Sequence, residues 1–495
     1  MTARNCRYKE RSASIKELPS HLILEILTSG RLSAVDLVSL ELTSSIFGGN
    51  HGLYPHKFRS LVDFVAFQLC DSNTIYARMA GNAQRELFDR CNGNWKRVLR
   101  FLQSVEQSSG MVETSAGKMQ ITTGRYHTLL INNSTVYSCG TSLCGVLGQG
   151  PEATQCVAFT RIDFPSLAQV MHVSATQYHA AFVMQSGQVF TCGDNSSFCC
   201  GHSTARPIFR PRLVEALEGV PCMQVSTGHN ITVFLTRQGQ VYTCGANTHG
   251  QLGHGDTLDR PTPQIIEDLE GVGSVVYVAA GSSYVLAVTD NGAVYSFGSG
   301  SNFCLGHGER HDELQPREIQ TFQRMSIHVL RVAAGDEHAV ALDSSGLVYT
   351  WGRGFWGALG HGYDVDKTTP KLVNSLKSRL VVQVCARRRE TFVLADDGSV
   401  YGFGWMGLAS LGFPDRGVSE RIMRPKILRC LRAHRVSQIS TGFCHTVVVT
   451  NRGQLFGFGD NEGAQLGHDT LRVFLEPTEI LIQQMTDDKG NSDSR

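Results

Sequence analysis

The sequence predicts a mainly β fold, a seven-bladed β-propeller, preceded by a small α-helical domain. Three observations predict it. A strand-like tetrapeptide closed by glycine recurs seven times at nearly constant spacing. Glycine is concentrated where the chain repeats: of 51 glycines, only 7 fall in residues 1–110. Those first 110 residues instead carry apolar side chains at helical spacing. The expected organisation is a disordered tail over 1–14, a helical motif over 15–50, a helical linker over 51–110, the propeller over 111–482 and a second tail over 483–495.

The helical part opens at Leu18-Pro19, where proline suits a first helical turn because its missing N–H costs little there. Leu22 with Ile26, and Ile23 with Leu27, are four apart and build one apolar face before Gly30. Ser33-Ala-Val-Asp36 is a capping-box-like start for a second helix carrying Leu37, Val38 and Leu40. This run resembles an F-box. That resemblance implies docking on the Skp-type adaptor of a cullin ubiquitin ligase through Leu18, Pro19, Leu22, Ile23, Ile26, Leu27, Leu37 and Leu40, with Glu25 and Asp36 also matching. The pattern departs at its end, where Leu42-Thr-Ser-Ser-Ile-Phe47 replaces a basic, tryptophan-bearing ending. A plain helical cap is the alternative. Further on, Phe58, Leu61, Val62, Val65 and Leu69 form one helical stripe. Trp95, Val98, Leu99 and Leu102 form another, with Asn94 placed to cap and Lys96, Arg97 and Arg100 expected in solvent.

Each repeat then reads in a fixed order. A Gly-x-x-His element comes first, as at Gly124…His127, Gly335…His338 and Gly442…His445. A tight turn follows, with glycine at 187, 239, 292, 346, 398 and 453. Then comes the tetrapeptide, from Val136-Tyr-Ser-Cys-Gly140 to Leu455-Phe-Gly-Phe-Gly459, its closing glycines 52 to 55 residues apart. Leu-Gly-His-Gly and a proline-led strand finish the unit, as at Leu305-Gly-His-Gly308 and Pro316…Ile319. Short strands of this kind bury their faces by radial stacking. The last copy ends on a proline-led strand, Glu476 to Ile480, and the first copy has none before it. The C-terminal strand is therefore expected to complete the blade that the N-terminal strands begin.

The unit resembles the repeat of the regulator of chromosome condensation family, and the resemblance covers about residues 112–482. It implies a seven-bladed propeller and leaves function open, because one fold hosts many functions. The histidine of the element becomes Ile231, Tyr284 and Glu390 in three copies, so the histidines do not form a catalytic ring and are expected to satisfy backbone near the axis. Cys139, Cys192 and Cys244 stand where Phe297, Trp351, Phe403 and Phe458 stand in other copies, a packing slot.

Composition narrows the function classes. Net charge is +1, so no global field steers the chain to nucleic acid or membrane, and no stretch is apolar enough to span a bilayer. The start is polar and basic, without the apolar core of a secretory signal. Fifteen cysteines without CxxC fit a reducing cytoplasmic or nuclear setting. Cys192, Cys199, Cys200 and His202 lack the paired spacing of zinc sites, and no metal or other cofactor is expected. No phosphate loop or nucleophile motif appears, so no catalytic residue is assigned. The expected function is a non-enzymatic adaptor: a substrate receptor of a Skp-cullin-F-box ligase whose propeller binds a protein target.

The alternatives are nucleotide exchange on the small GTPase Ran, implied by the family but without an insertion long enough for a wedge, and a chromatin or nucleic-acid scaffold. Light sensing in the same family needs packed tryptophans. The Gly-Trp-Arg-His-Thr of that branch reads Gly124-Arg-Tyr-His-Thr128 here, so no tryptophan cluster is expected. Residues 371–435 hold 13 Lys/Arg against 5 Asp/Glu. Within this sector Arg387, Arg388, Arg389, Arg421, Arg424 and Lys426 are the candidate target-binding patch, for an acidic or phosphorylated peptide or nucleic acid. A merely solvated basic surface is the plain alternative.

Overall fold

The computed structural model describes residues 20–29, 32–43, 47, 58–108, 119–142, 144–165, 169–417 and 419–481. The chain divides into two compact units, Met1–Arg78 with Arg85–Gln103, and Met79–Gln84 with Ser104–Arg495. Leu18 and Pro19 lie outside the described residues.

The first unit is helical. Helices α1 (Ser20–Thr28) and α2 (Ala34–Thr43) both pack on α3 (Leu61–Asp71). The capping box at Ser33 forms: its hydroxyl accepts from the Asp36 N–H at 3.2 Å, and the Asp36 carboxylate accepts from the Ser33 N–H at 2.8 Å. Asn94 likewise caps, its side-chain oxygen accepting from the Arg97 N–H. The core joins Ile23, Leu27 and Leu37 to Leu61, Val62 and Val65, while Trp95 packs its ring on Phe67 and Phe88. One expectation is corrected. Lys96 does not stand in solvent but meets Glu41 of α2 at 2.6 Å, and Ser60 donates to the other Glu41 oxygen. Arg97 and Arg100 are half-buried. Amphipathic spacing places a cation off the apolar stripe, but a carboxylate from a neighbouring helix then covers it.

In the second unit, the described strands form seven four-stranded antiparallel sheets, from Gln120–Thr123 to Phe474–Ile480. The first strand of each sheet contacts the first strand of the next around a closed ring, so it lies at the axis. The second strand is buried along nearly its whole length, as at His179–Met184 and Tyr284–Thr289, because a neighbouring blade covers each of its faces. That is why these strands read as continuous apolar runs. The fourth, proline-led strand is the exposed edge, where a missing N–H is tolerated.

Two expectations change. The unit has four strands, because an unpunctuated inner strand precedes each Gly-x-x-His element. The closure differs too. Every blade is built from consecutive strands: the first from Gln120–Thr123, His127–Asn132, Thr135–Thr141 and Gln155–Arg161, the last from Val436–Thr441, His445–Thr450, Leu455–Gly459 and Phe474–Ile480. The C-terminal strand pairs inside its own blade. Gln155–Arg161 fills the outer place in blade one without a proline, which is why the sequence hid it.

The recurring motifs now have physical causes. The glycine closing each tetrapeptide sits opposite the histidine slot at positive φ, +112° at Gly140. A Cβ there would strike the Tyr126 carbonyl oxygen. The Ser or Thr within the tetrapeptide donates to the loop carbonyl nine residues on and pairs with the histidine of Leu-Gly-His: Thr191 with His202, Thr243 with His254, Ser296 with His307, Thr350 with His361, all at 2.8–3.1 Å. Blade six has Gly402 in place of the hydroxyl and Phe413 in place of the histidine, so both partners are lost together.

A second belt joins blade to blade. His179, His338 and His445 pair through Nε2 with the hydroxyls of Thr232, Thr391 and Thr128 in the following blade, at 2.9, 2.8 and 3.0 Å. Those hydroxyls donate to the carbonyls of Cys199, Ala358 and Gln465, so each Nε2 carries the proton. The expectation that these histidines satisfy backbone is thus extended: His338 and His445 interact with the backbone of Glu390 and His127, and their Nε2 atoms also bond side-chain hydroxyls. Burial holds His338 down to about 4 and His445 down to about 3, so both are neutral. Nearer the axis, Gln224 and Gln383 bond both N–H and C=O of Val278 and Ile439, and Gln438 accepts from the Ile121 N–H at the closure. These amides cover strand edges that otherwise face one another unpaired.

Candidate functional site

The antiparallel order puts the turns after the first strands and the loops after the third strands at one end of the propeller. Seven turns ring the mouth of the axis there. Residues from six of them, Arg125, Gln177, His229, Ser282, Asp336 and Phe443, line a depression together with Arg387.

Blade six departs most from its siblings. Its first strand runs on to Arg387, which pairs directly with Glu390, so Arg388 and Arg389 form a two-residue turn. Arg388 adopts φ +48°, a left-handed conformation that costs a non-glycine residue energy. Its outer hairpin, Val400–Gly407 with Ser419–Ile427, is longer than those of the other blades. That hairpin presents Trp405 beside Trp356 of blade five, ring centroids 5.7 Å apart.

Arginines cover these rings. The Arg388 guanidinium lies 4.5 Å from the Trp405 centroid and 3.8 Å from Phe443, and Arg389 lies 4.3 Å from Trp356. Arg125 stands 4.5 Å from the same Phe443 ring. Such contacts hold a guanidinium in place without consuming its N–H groups; Arg388 donates one of them to Cys444 Sγ at 3.6 Å. The carboxylates present are few and shared: Glu337 takes both Arg353 at 2.7 Å and Arg389 at 3.4 Å.

Glu390 occupies the histidine slot of blade six, fully buried. Ser410 donates to it at 2.5 Å and Thr441 at 3.3 Å. Burial pushes its carboxyl up to about 8.

Comparison with known proteins agrees with the propeller fold. The sequence profile of the RCC1-like domain fits residues 94–331, and that of the regulator of chromosome condensation (RCC1) repeat fits residues 345–394, with a second RCC1-repeat profile at 329–355 and 436–465. The ultraviolet-B receptor UVR8 of Arabidopsis thaliana is 32% identical over 351 residues, 70% of this chain and 78% of the receptor. This chain belongs to the RCC1-repeat family. The human E3 ubiquitin-protein ligase HERC2 is 32% identical over 271 residues, which is 54% of this chain and 6% of that ligase. Among solved structures, human WBSCR16 matches with TM-score 0.61 at 22% identity, covering 70% of this chain and 94% of its own. Yeast Prp20p matches with TM-score 0.63 at 20% identity, covering 76% and 89%. Both are likenesses of fold.

Against the RCC1 fold the predicted residues separate. Arg387, Arg388 and Arg389 come together at the mouth, at the strand turn where the sequence placed them. Arg421 reaches the same face, opposite Trp405, with its guanidinium 3.7 Å from Asp364. Arg424 is exposed on the outer strand, and Lys426 is bound to Asp415 at 2.7 Å, away from the arginine stack. The aromatic part was missed: the sequence expectation of no packed tryptophans is corrected by Trp356 and Trp405, which pack from loops rather than from the Gly-x-x-His slots. Arg125 was missed as well, because it belongs to blade one and closes on blade seven. In the cysteine cluster, His202 bonds Thr191 and both Cys199 and Cys200 point to the Asp194 carbonyl. Among the described residues no group of three or more His, Cys, Asp or Glu could hold a metal.

On the helical unit, Ile23, Leu27 and Leu37 are buried, and Leu40 is half-buried. Leu22 and Ile26 face out, at 37% and 46% exposure.

Proposed function

We propose that this RCC1-repeat protein is a non-enzymatic interaction protein, the substrate receptor of a Skp-cullin-F-box-type ubiquitin ligase, with the helical unit holding the adaptor and the propeller holding the target. One observation carries the reading. Leu22, Ile26, Val35, Val38 and Leu42 are all exposed on two short helices, α1 and α2. Large apolar side chains gathered so densely on one small unit favour a protein partner. The buried residues of the same motif, Ile23, Leu27 and Leu37, then build the support rather than the contact. The occurrence of an RCC1-type region in a relative named as an E3 ubiquitin-protein ligase is consistent with this use.

The test is affinity capture with the wild-type chain beside a Leu22→Asp/Ile26→Asp pair. Loss of Skp-type adaptor and cullin, with the propeller's melting transition retained, is the expected outcome. Absence of adaptor from the wild-type capture overturns the reading.

A further inference from the structure

We propose that the axial mouth at blades five, six, seven and one is a docking site for a phosphorylated peptide, its phosphoryl group held by Arg125, Arg387 and Arg388. The proposal deepens the target half of the receptor reading and rests on it for its biological sense. It is drawn from the propeller alone, so its failure leaves the adaptor experiment untouched.

Three observations converge. First, Arg125, Arg387 and Arg388 stand around the mouth, and among the described residues none of the three is in a salt bridge, although Asp336 of the same lining attracts Arg387. The Nε of Arg125 is buried without a hydrogen-bond partner. Asp336 shares the lining, and Glu337 is already occupied by Arg353 and Arg389. The five arginines and two carboxylates leave a local excess suited to the roughly −2 charge of a phosphoryl group, which offers three strong acceptor oxygens. Second, the cations are aimed rather than scattered. Phe443 lies under both Arg125 and Arg388, and Trp405 lies under Arg388. Rings hold like charges close together without consuming their N–H donors. Third, Arg388 is held at φ +48°, in a turn where five of the six other blades lead with glycine. Backbone strain in a binding turn is the pattern of a site selected for position.

A peptide is favoured over a nucleic acid. Asp336, Glu337, Asp364 and Glu420 interleave with the cations of blades five and six, so an extended phosphate backbone crossing these blades meets carboxylates beside the arginines. A chain bearing one phosphoryl group does not. Phe355 and Leu408, exposed at 45% and 41%, lie on loops of the same end and offer apolar contact to flanking residues.

The experiment uses the full-length protein and a degenerate peptide library with one fixed phosphoserine or phosphothreonine. The same library unphosphorylated, the same library with glutamate at the fixed position, and single- and double-stranded oligonucleotides serve as competitors. The phosphorylated library is expected to bind about tenfold or more tighter than the unphosphorylated one, the scale of a charged hydrogen-bonding contact. Arg387→Gln and Arg388→Lys are expected to remove that preference while the melting transition stays in place. Arg388→Lys keeps the charge but loses the planar stack. Arg429→Ala/Arg432→Ala, in the same basic stretch of sequence but after the fourth strand, is expected to leave binding unchanged. No phosphate preference in the library, equal or better binding of the glutamate library or the oligonucleotides, or binding unaffected by both mouth variants each overturns the proposal.

Discussion

At the scale of single residues, the seven copies serve as an internal alignment, and their exceptions carry predictions. Every histidine in the belt has a threonine hydroxyl ahead of it except His127, whose following blade offers Ala180. Both ring nitrogens of His127 are consequently buried without a partner, and burial pushes its basicity down to about 3. Ala180→Thr is expected to supply the missing hydroxyl. Its hydrogen would go to the Val146 carbonyl, the counterpart of the loop carbonyls that Thr232 and Thr391 use, already met by Cys192 Sγ. Stability should rise by about 1 kcal/mol, measured by denaturant unfolding.

Glu390 gives a pH signature. Its folded carboxyl titrates at about 8 against an ordinary 4.5, so its contribution to stability is complete below 4.5 and is lost as pH rises through 8. The buried histidines act in the opposite sense: their depressed values mean stability present above 6.5 and lost as pH falls toward 3–4. Glu390→Gln keeps an acceptor for Ser410 and should flatten the fall in melting temperature between pH 5 and about 8. An unchanged profile would show that the carboxyl is not protonated in the fold.

At the scale of elements, what the sequence displayed and what it hid follow one rule. The third strands were legible because their closing glycines answer a local collision, as Gly140 does with the Tyr126 carbonyl. The hairpin glycines were legible for the same reason, and blade one lacks one only because Asn133 and Ser134 take positive φ themselves, +49° and +64°. The inner strands answer no local demand. Their residues are selected by the neighbouring blade, as Gln383 is by Ile439 56 residues away, and they carry no punctuation. The candidate site divides in the same way. The triple arginine was visible as a broken motif, whereas Trp356, Trp405, Phe443 and Arg125 come from four blades and meet only in space. Summed charge along 371–435 also merged cations that fold apart, such as Arg388 at the mouth and Lys426 beside Asp415.

The stitching glutamines predict element-scale energetics. Gln383→Leu and Gln438→Leu each leave an inner-strand N–H without its acceptor, at an ordinary junction and at the closure. Each should cost about 1–3 kcal/mol. Gln383 also donates to the Ile439 carbonyl, a bond Gln438 does not make to Ile121, so the first variant is expected to cost about 1 kcal/mol more than the second; a larger gap would mark the closure as a weaker joint.

At the scale of the whole molecule, the ring and the helical unit are stabilised differently. The helical unit was readable through its caps and amphipathic spacing, and the Glu41–Lys96 pair was not, since 55 residues separate its members. The propeller was readable as a count of seven, but its manner of closing was inferred from a proline-led strand that ends the last copy and none that precedes the first, whereas blade one builds its own edge from Gln155–Arg161 without a proline.

That closure has a further meaning. Because no sheet is shared between the two ends of the chain, the junction between the last blade and the first repeats the side-chain contacts of the others: Gln438 to Ile121, Ser440 to Thr123 and His445 to Thr128. The ring therefore has no privileged starting point. A circularly permuted chain that begins at Val275 and joins Leu481 to Met119 through a flexible linker should fold to the same ring and unfold at a similar temperature. The order of the blades along the gene would then be a historical accident of duplication, free to be rotated without cost to the fold.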